Sequence, residues 1–212
     1  MGTIRVITLD REYGCGGHAI AARLAERLGW KLWDEELCRE VARRANCDLA
    51  AVQAREERRD PLYYRLFRAF LRGSLEPSVN RDRLSMIVDA ETISKLSEQL
   101  VRAAADEGNC VIVGRGSQYF LHDRDDTYHV FLYAPYEEKI RRERETGRGA
   151  AEARRLVDTT DRDRAAFIRH YLKRRWPNRQ LYHLMVNSKV GDEAVVETIL
   201  RAVDARAGTP AR

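Results

Sequence analysis

From Leu9 to Leu28 the chain reads LDREYGCGGHAIAARLAERL. Glycines at positions 14, 16 and 17 let a backbone turn its N–H groups onto an oxyanion. A helix with Ile20, Leu24 and Leu28 on one face follows at once and adds its positive N-terminal end. That is the layout of a phosphate-binding loop. The usual pattern, G-x-x-x-x-G-K-[ST], places a lysine after the second glycine, but here Gly17 stands there and His18 takes the hydroxyl position. A backbone cradle works without that lysine. Charge at the outer phosphates must then come from elsewhere, and within this segment Arg11 and His18 are the candidates. The plain alternative is a tight glycine turn between a strand and a helix.

Two further groups of residues suit the same chemistry. Arg115 follows the apolar run CVIV between two glycines, where a guanidinium could pair bidentately with phosphate or cap a neighbouring element. Later come Arg141, Arg142, Arg144 and Arg148, then Arg162 and Arg164. Arginines carried on a closing segment can neutralise charge on a transferring phosphoryl group. Most of this set has a carboxylate within helical reach, among them Glu137, Glu138, Glu143 and Glu145, so two or three are expected to point inward. The five histidines lack metal-ligand spacing, and Ser117 lacks a nucleophile elbow.

These residues need a frame. At 212 residues, 44% apolar and 33% charged, the chain fits one soluble domain with room for an insertion. Its formal charge of +5 favours anionic partners. Cys15, Cys38, Cys47 and Cys110 show neither disulfide nor metal spacing, and no run is long and apolar enough to span a bilayer, so the cytoplasm is the expected home.

Short β-branched runs at 4–9, 109–114, 128–134 and 182–187, with a weaker one at 29–34, read as strands. Helical patterns lie between them, at 89–109 and at 191–208 with Asp192 as its N-cap. The alternation predicts a mostly parallel sheet covered on both faces, with ligands beyond the carboxyl ends of its strands. Two polar excursions interrupt it. Residues 35–88 are helix-rich and highly charged, and 136–175 holds two arginine-laden helical stretches hinged at TGRG.

Together these stretches resemble the cytidylate kinase-like family, a branch of the P-loop nucleoside monophosphate kinases. The likeness rests on REYGCGGHAIAARLAERLG with WDEEL after it, on CVIVGRGSQYFL, and on VFLYAPYEEKIRR, VDTTDRDRAAFIRHY and LMVNSKVG. It implies a single three-layer αβα P-loop kinase domain over 1–212, with a parallel sheet, a helical monophosphate-binding insertion at 35–88 and a helical lid at 136–175. It implies ATP on Arg11, Glu12, Tyr13, Gly14, Cys15, Gly16, Gly17, His18 and Ala19, with Asn187 and Ser188 close to the adenine. Asp34, Arg39, Arg115 and Arg162 would serve the acceptor, and Arg11, Arg115, Arg141, Arg142, Arg148 and Arg164 the transfer itself. Mg²⁺ would enter with ATP, and no resident metal site is expected.

The expected activity is ATP-dependent phosphoryl transfer to a small phosphorylated acceptor, in the first place a nucleoside monophosphate such as CMP. Two departures bear on it. True cytidylate kinases carry the loop lysine, and they carry an aspartate after the G-R pair where this chain has Gly116. Arg115 therefore supports phosphate handling more than it supports CMP. The missing lysine also motivates the alternative of a catalytically degenerate nucleotide-binding sensor or scaffold. A membrane partner is not expected, the mixed charge of REERRD argues against nucleic acid, and a homo-oligomer is compatible with the sequence.

Overall fold

The computed structural model describes residues 3–34 and 90–207, so the 35–88 insertion, including Arg39, Cys38 and Cys47, lies outside the described residues. Strand β1 (Val6–Arg11) is followed by helix α1 (Gly17–Leu28) and strand β2 (Lys31–Trp33). After the insertion come α2 (Ala90–Glu107), β3 (Cys110–Val113), the single turn α3 (Ser117–Phe120) and β4 (Thr127–Tyr133). Then follow α4 (Tyr136–Glu145), α5 (Ala150–Phe167) with a π-helical turn at Ile168–Leu172, β5 (Leu184–Asn187) and α6 (Asp192–Ala207).

The five strands form one parallel sheet in the order β2-β3-β1-β4-β5, with Leu9 opposite both Val113 and Val130. Pleat alternation divides the side chains between two cores. Ile7, Leu9, Val111, Val113, Val130 and Leu132 face α1 and α6, where Ile20, Leu24, Val196 and Ile199 meet them. Val6, Cys110 and Ile112 face the other way, against Leu100, Val101, Phe120, Phe167 and Ile168. Covered on both faces, β1 is buried along its whole length, and its first four residues, VITL, carry the β-branched signal. This is the parallel α/β sheet, covered by helices on both faces, expected from the sequence.

Some boundaries differ from the sequence reading. β1 runs on through Asp10 and Arg11, so these two side chains belong to the strand rather than to the glycine loop. Asp192 is the first helical residue of α6 rather than its cap, since Val195 N–H already bonds the Gly191 carbonyl. Its carboxylate is used instead for an ion pair with Arg142. The stretch 136–175 does form two helices, separated at Thr146–Gly149.

Candidate active site

The connection from β1 to α1 lies at the carboxyl end of the central strand. Gly14 and Gly16 take left-handed φ values of 76° and 79°, which a residue with a side chain rarely adopts. Helix α4 presses on this loop: a Cβ at Gly14 would sit 3.1 Å from the Lys139 Cβ, and one at Gly16 would overlap the Arg142 guanidinium. The loop is tied to both late helices through one residue. Tyr13 donates its N–H to Asp161 Oδ1 (2.8 Å) and its hydroxyl to Glu143 Oε2 (2.7 Å), and its ring packs on Ile140, Ala153 and Val157.

The lysine-less position is sterically crowded. Gly17 lies against Arg11, and a Cβ there would come within 2.8 Å of the Arg11 Cγ. The guanidinium of Arg11 continues to Gly114, where a Cβ would overlap its Nη1. Arg11 thus fills the space a side chain at position 17 would need. Gly114, Arg115 and Gly116 form three consecutive left-handed residues (φ 65°, 60° and 72°) with Arg115 buried in their middle. A left-handed arginine costs about 1–2 kcal/mol, so the turn is held by its surroundings.

Cations converge on the loop from several elements. Lys139 Nζ is 3.0 Å from Glu12 Oε2 and 3.9 Å from Asp161 Oδ2. Arg164 donates from Nη1 to the Arg11 carbonyl (2.6 Å) and to Asp161 Oδ1 (2.8 Å). Burial, reinforced by the like charge of Arg11, lowers the Arg164 pKa, while burial raises Asp161 against the pull of Arg164. Arg142 spans Glu138 (3.0 Å), Asp192 (2.8 Å) and the Ser188 carbonyl (3.1 Å), and so links the loop to the turn after β5. Hydrogen bonds from Arg141, then from Arg142, hold Glu138 down at about 2. N–H groups at a helix start, faced by ammonium and guanidinium groups, suit a polyanion.

A model of the cytidylate kinase-like family matches residues 6–190. The chain belongs to that family. Membership makes it a kinase-like phosphotransferase with a nucleotide-binding P-loop fold. Among solved structures, this cytidylate kinase-like protein is similar to an uncharacterised protein from Eubacterium ventriosum ATCC 27560 (TM-score 0.66, 21% identity, 95% of this chain and 99% of that one). It is also similar to shikimate kinase from Acinetobacter baumannii in complex with shikimate (0.54, 18%, 98% and 97%). A third is shikimate kinase from Bacteroides thetaiotaomicron (0.51, 16%, 94% and 98%). At these identities the likeness concerns the fold. No curated protein matches the sequence.

The structure sorts the residues singled out from the sequence of this cytidylate kinase-like protein. Glu12, Tyr13, Gly14, Gly16, Gly17, Arg11, Arg142 and Arg164 meet at the loop, and Arg148 stands behind it on Glu143 (2.8 Å). Cys15 points down into the core, where burial pushes its thiol up to about 12. Ala19 is exposed, and His18 Nδ1 lies 2.7 Å from buried Asp34. Asn187 Oδ1 accepts from Lys189 N–H and caps the turn after β5, in which Ser188 is buried. Arg141 is turned outward onto Glu138 and Glu145, and exposed Arg162 bonds the Asp158 carbonyl of its own helix. Both are away from the loop.

Three loop neighbours were not anticipated. Lys139 hides in YEEKIRR, which reads as a surface of i,i+4 pairs; its place four residues before Glu143, on a face anchored by Ile140, was the available signal. Asp161 and Asp10 are the others. Asp10 Oδ2 accepts from Tyr182 Oη (2.6 Å), Trp176 Nε1 (2.7 Å) and Gln118 Nε2 (2.8 Å), and Oδ1 accepts the Arg11 N–H (2.9 Å). No local pattern predicts that convergence, because three of the donors come from distant segments. Among the described residues no helix is long and apolar enough to cross a membrane.

Proposed function

We propose that this protein is an ATP-dependent kinase that transfers the terminal phosphoryl group to a small phosphorylated acceptor, with a nucleoside monophosphate such as CMP as the first acceptor to test. The observation that carries the reading is the glycine loop at the central strand's carboxyl end, with Lys139, Arg142 and Arg164 gathered on it. In this reading ATP lies along Glu12 to Ala19 with its base toward Asn187 and Ser188, and α4 with α5 acts as the lid. The acceptor is held between Arg115, the Asp34 region and the 35–88 insertion.

An acceptor phosphate oxygen attacks the γ-phosphorus as the bond to the bridging oxygen breaks, and ADP leaves with that electron pair. Such a transfer needs alignment and charge neutralisation more than a protein nucleophile. Mg²⁺ bound to the phosphates would neutralise part of their charge. Glu12 and Asp161, the carboxylates at the loop, would meet this hard cation through its water ligands, since both already face Lys139. Among the described residues no group of three side chains could cage a metal, and a cation arriving on ATP needs none, because it keeps water and phosphate oxygens as ligands.

A second reading has its own support. Lys139, Arg142, Arg148 and Arg164 each engage a carboxylate of this chain, an arrangement that also suits a nucleotide sensor whose lid is held by internal pairs. One assay separates the two. Purified protein is given ATP, Mg²⁺ and, in turn, CMP, dCMP, UMP, AMP and shikimate, with Gly16→Val as the control. ADP release dependent on one monophosphate supports the kinase. Tight ATP binding without ADP release above the control, whichever acceptor is present, moves the function to sensing, and turnover with shikimate alone would remove the nucleotide acceptor.

A further inference from the structure

The charge missing from position 17 has a place in this structure. Arg11 crowds that position, since its stem lies 2.8 Å from where a Cβ would stand. Of the chain's five lysines, Lys31 lies on β2 beside Glu107, Lys95 and Lys173 line a cavity beside Tyr119, and Lys189 is exposed after β5. Lys139 alone among them is set against the glycine loop. Its Cβ and carbonyl oxygen both lie 3.1 Å from the point a Gly14 Cβ would occupy, and its side chain is only 12% exposed.

We propose that Lys139, delivered from α4, is the lysine of this phosphate loop, and that its ammonium bonds the terminal phosphate of the bound nucleotide. This rests on the kinase or sensor reading of the loop, either of which requires a triphosphate there. Two features carry it. The ammonium stands by Asp161, whose other oxygen accepts the Tyr13 N–H, so Lys139, Arg164 and a loop N–H already share one anion. A carboxylate held by a backbone N–H and two cations has the donor set that a phosphate oxygen requires. Glu12 holds the ammonium on its near side, at 3.0 Å, and keeps it over the loop instead of in solvent.

The alternative role for Lys139 is a structural tie between α4 and the loop, and it makes different predictions. A tie would affect every nucleotide equally. A phosphate ligand affects only those long enough to reach it.

The test is calorimetry of the full chain with AMP, ADP, ATP and inorganic tripolyphosphate, on wild type, Lys139→Met and Lys139→Arg. The proposal expects Lys139→Met to lose about 10- to 100-fold in ATP and tripolyphosphate affinity, the scale of one charged hydrogen bond. AMP affinity stays unchanged, and Lys139→Arg recovers most of the loss. Should Lys139→Met fail to fold, Lys139→Gln carries the same comparison. Equal losses for AMP and ATP, or undiminished ATP affinity in the methionine variant, overturn the proposal while leaving the kinase reading standing. A wild type that binds neither ATP nor tripolyphosphate overturns both.

Discussion

Two carboxylates near the carboxyl end of the sheet, Asp10 buried and Asp161 partly exposed, are satisfied in opposite ways. Asp10 is surrounded by neutral donors: a phenol, an indole, an amide and a backbone N–H. Asp161 is surrounded by charge, with Arg164 at 2.8 Å and Lys139 at 3.9 Å besides the Tyr13 N–H. The neutral network continues along the same face of β1, where Thr8 Oγ1 lies 2.7 Å from His129 Nδ1. Neutral donors fix one geometry and have little to offer a polyanion. On the proposed reading, a bound phosphate would share the cations that Glu12 and Asp161 hold here. The first region therefore fixes the scaffold, and the second is the part suited to change.

The neutral network is most sensitive at Asp10. Asp10→Ala leaves three side-chain donors, two of them buried, without their acceptor and is expected to cost about 4 kcal/mol, read by urea denaturation, with little dependence on salt. A loss under 1 kcal/mol would remove Asp10 from the scaffold.

Acid probes the same neutral face. Burial, helped by neighbouring His183, holds His129 down at about 4. The unfolded chain takes its proton first, so the stability of neutral His129 is complete above about pH 6.5 and is lost as pH falls toward 4. That loss amounts to about 3 kcal/mol and should be flattened in His129→Asn. An equally steep acid limb in the variant would assign it to other groups.

On the charged side, Gly17→Lys supplies the customary lysine yet should destabilise by about 1–3 kcal/mol, because its stem meets Arg11. Adding Arg11→Ala should return part of the loss, and thermal melts of the double-mutant cycle would show it as a coupling. A stable Gly17→Lys protein with no coupling would sink the steric account. The smallest effect is expected from Tyr13→Phe. It keeps the ring between α4 and α5 but gives up the bond to Glu143, for about 1 kcal/mol of stability that shrinks further in high salt.

The strands were legible because a parallel sheet covered on both faces leaves β-branched runs in the sequence, as in VITL and CVIV. The loop was legible from its glycines. The side chains that face it were not, because periodicity gives a helix its faces without saying what each meets. Arg141 and Arg142 are adjacent, yet one is spent on Glu145 in solvent and the other lies on Gly16. What separates them is the approach of α4 to two residues without a Cβ, a tertiary fact. Asp10 falls just past the strand read at 4–9, and only the partners from 118, 176 and 182 make it a core residue.

Trp176 stands between the two carboxylate networks. Its indole N–H binds Asp10, and the Arg164 guanidinium lies 5.3 Å from its ring centre. The chain's other two tryptophans, Trp30 and Trp33, lie at the far β2 edge of the sheet. A cation over an indole face alters its emission, so a shift of Arg164 would be visible as a change in the brightness and colour of one tryptophan. The protein thus carries its own optical gauge of the charged loop, read against a fixed tether, without any added dye.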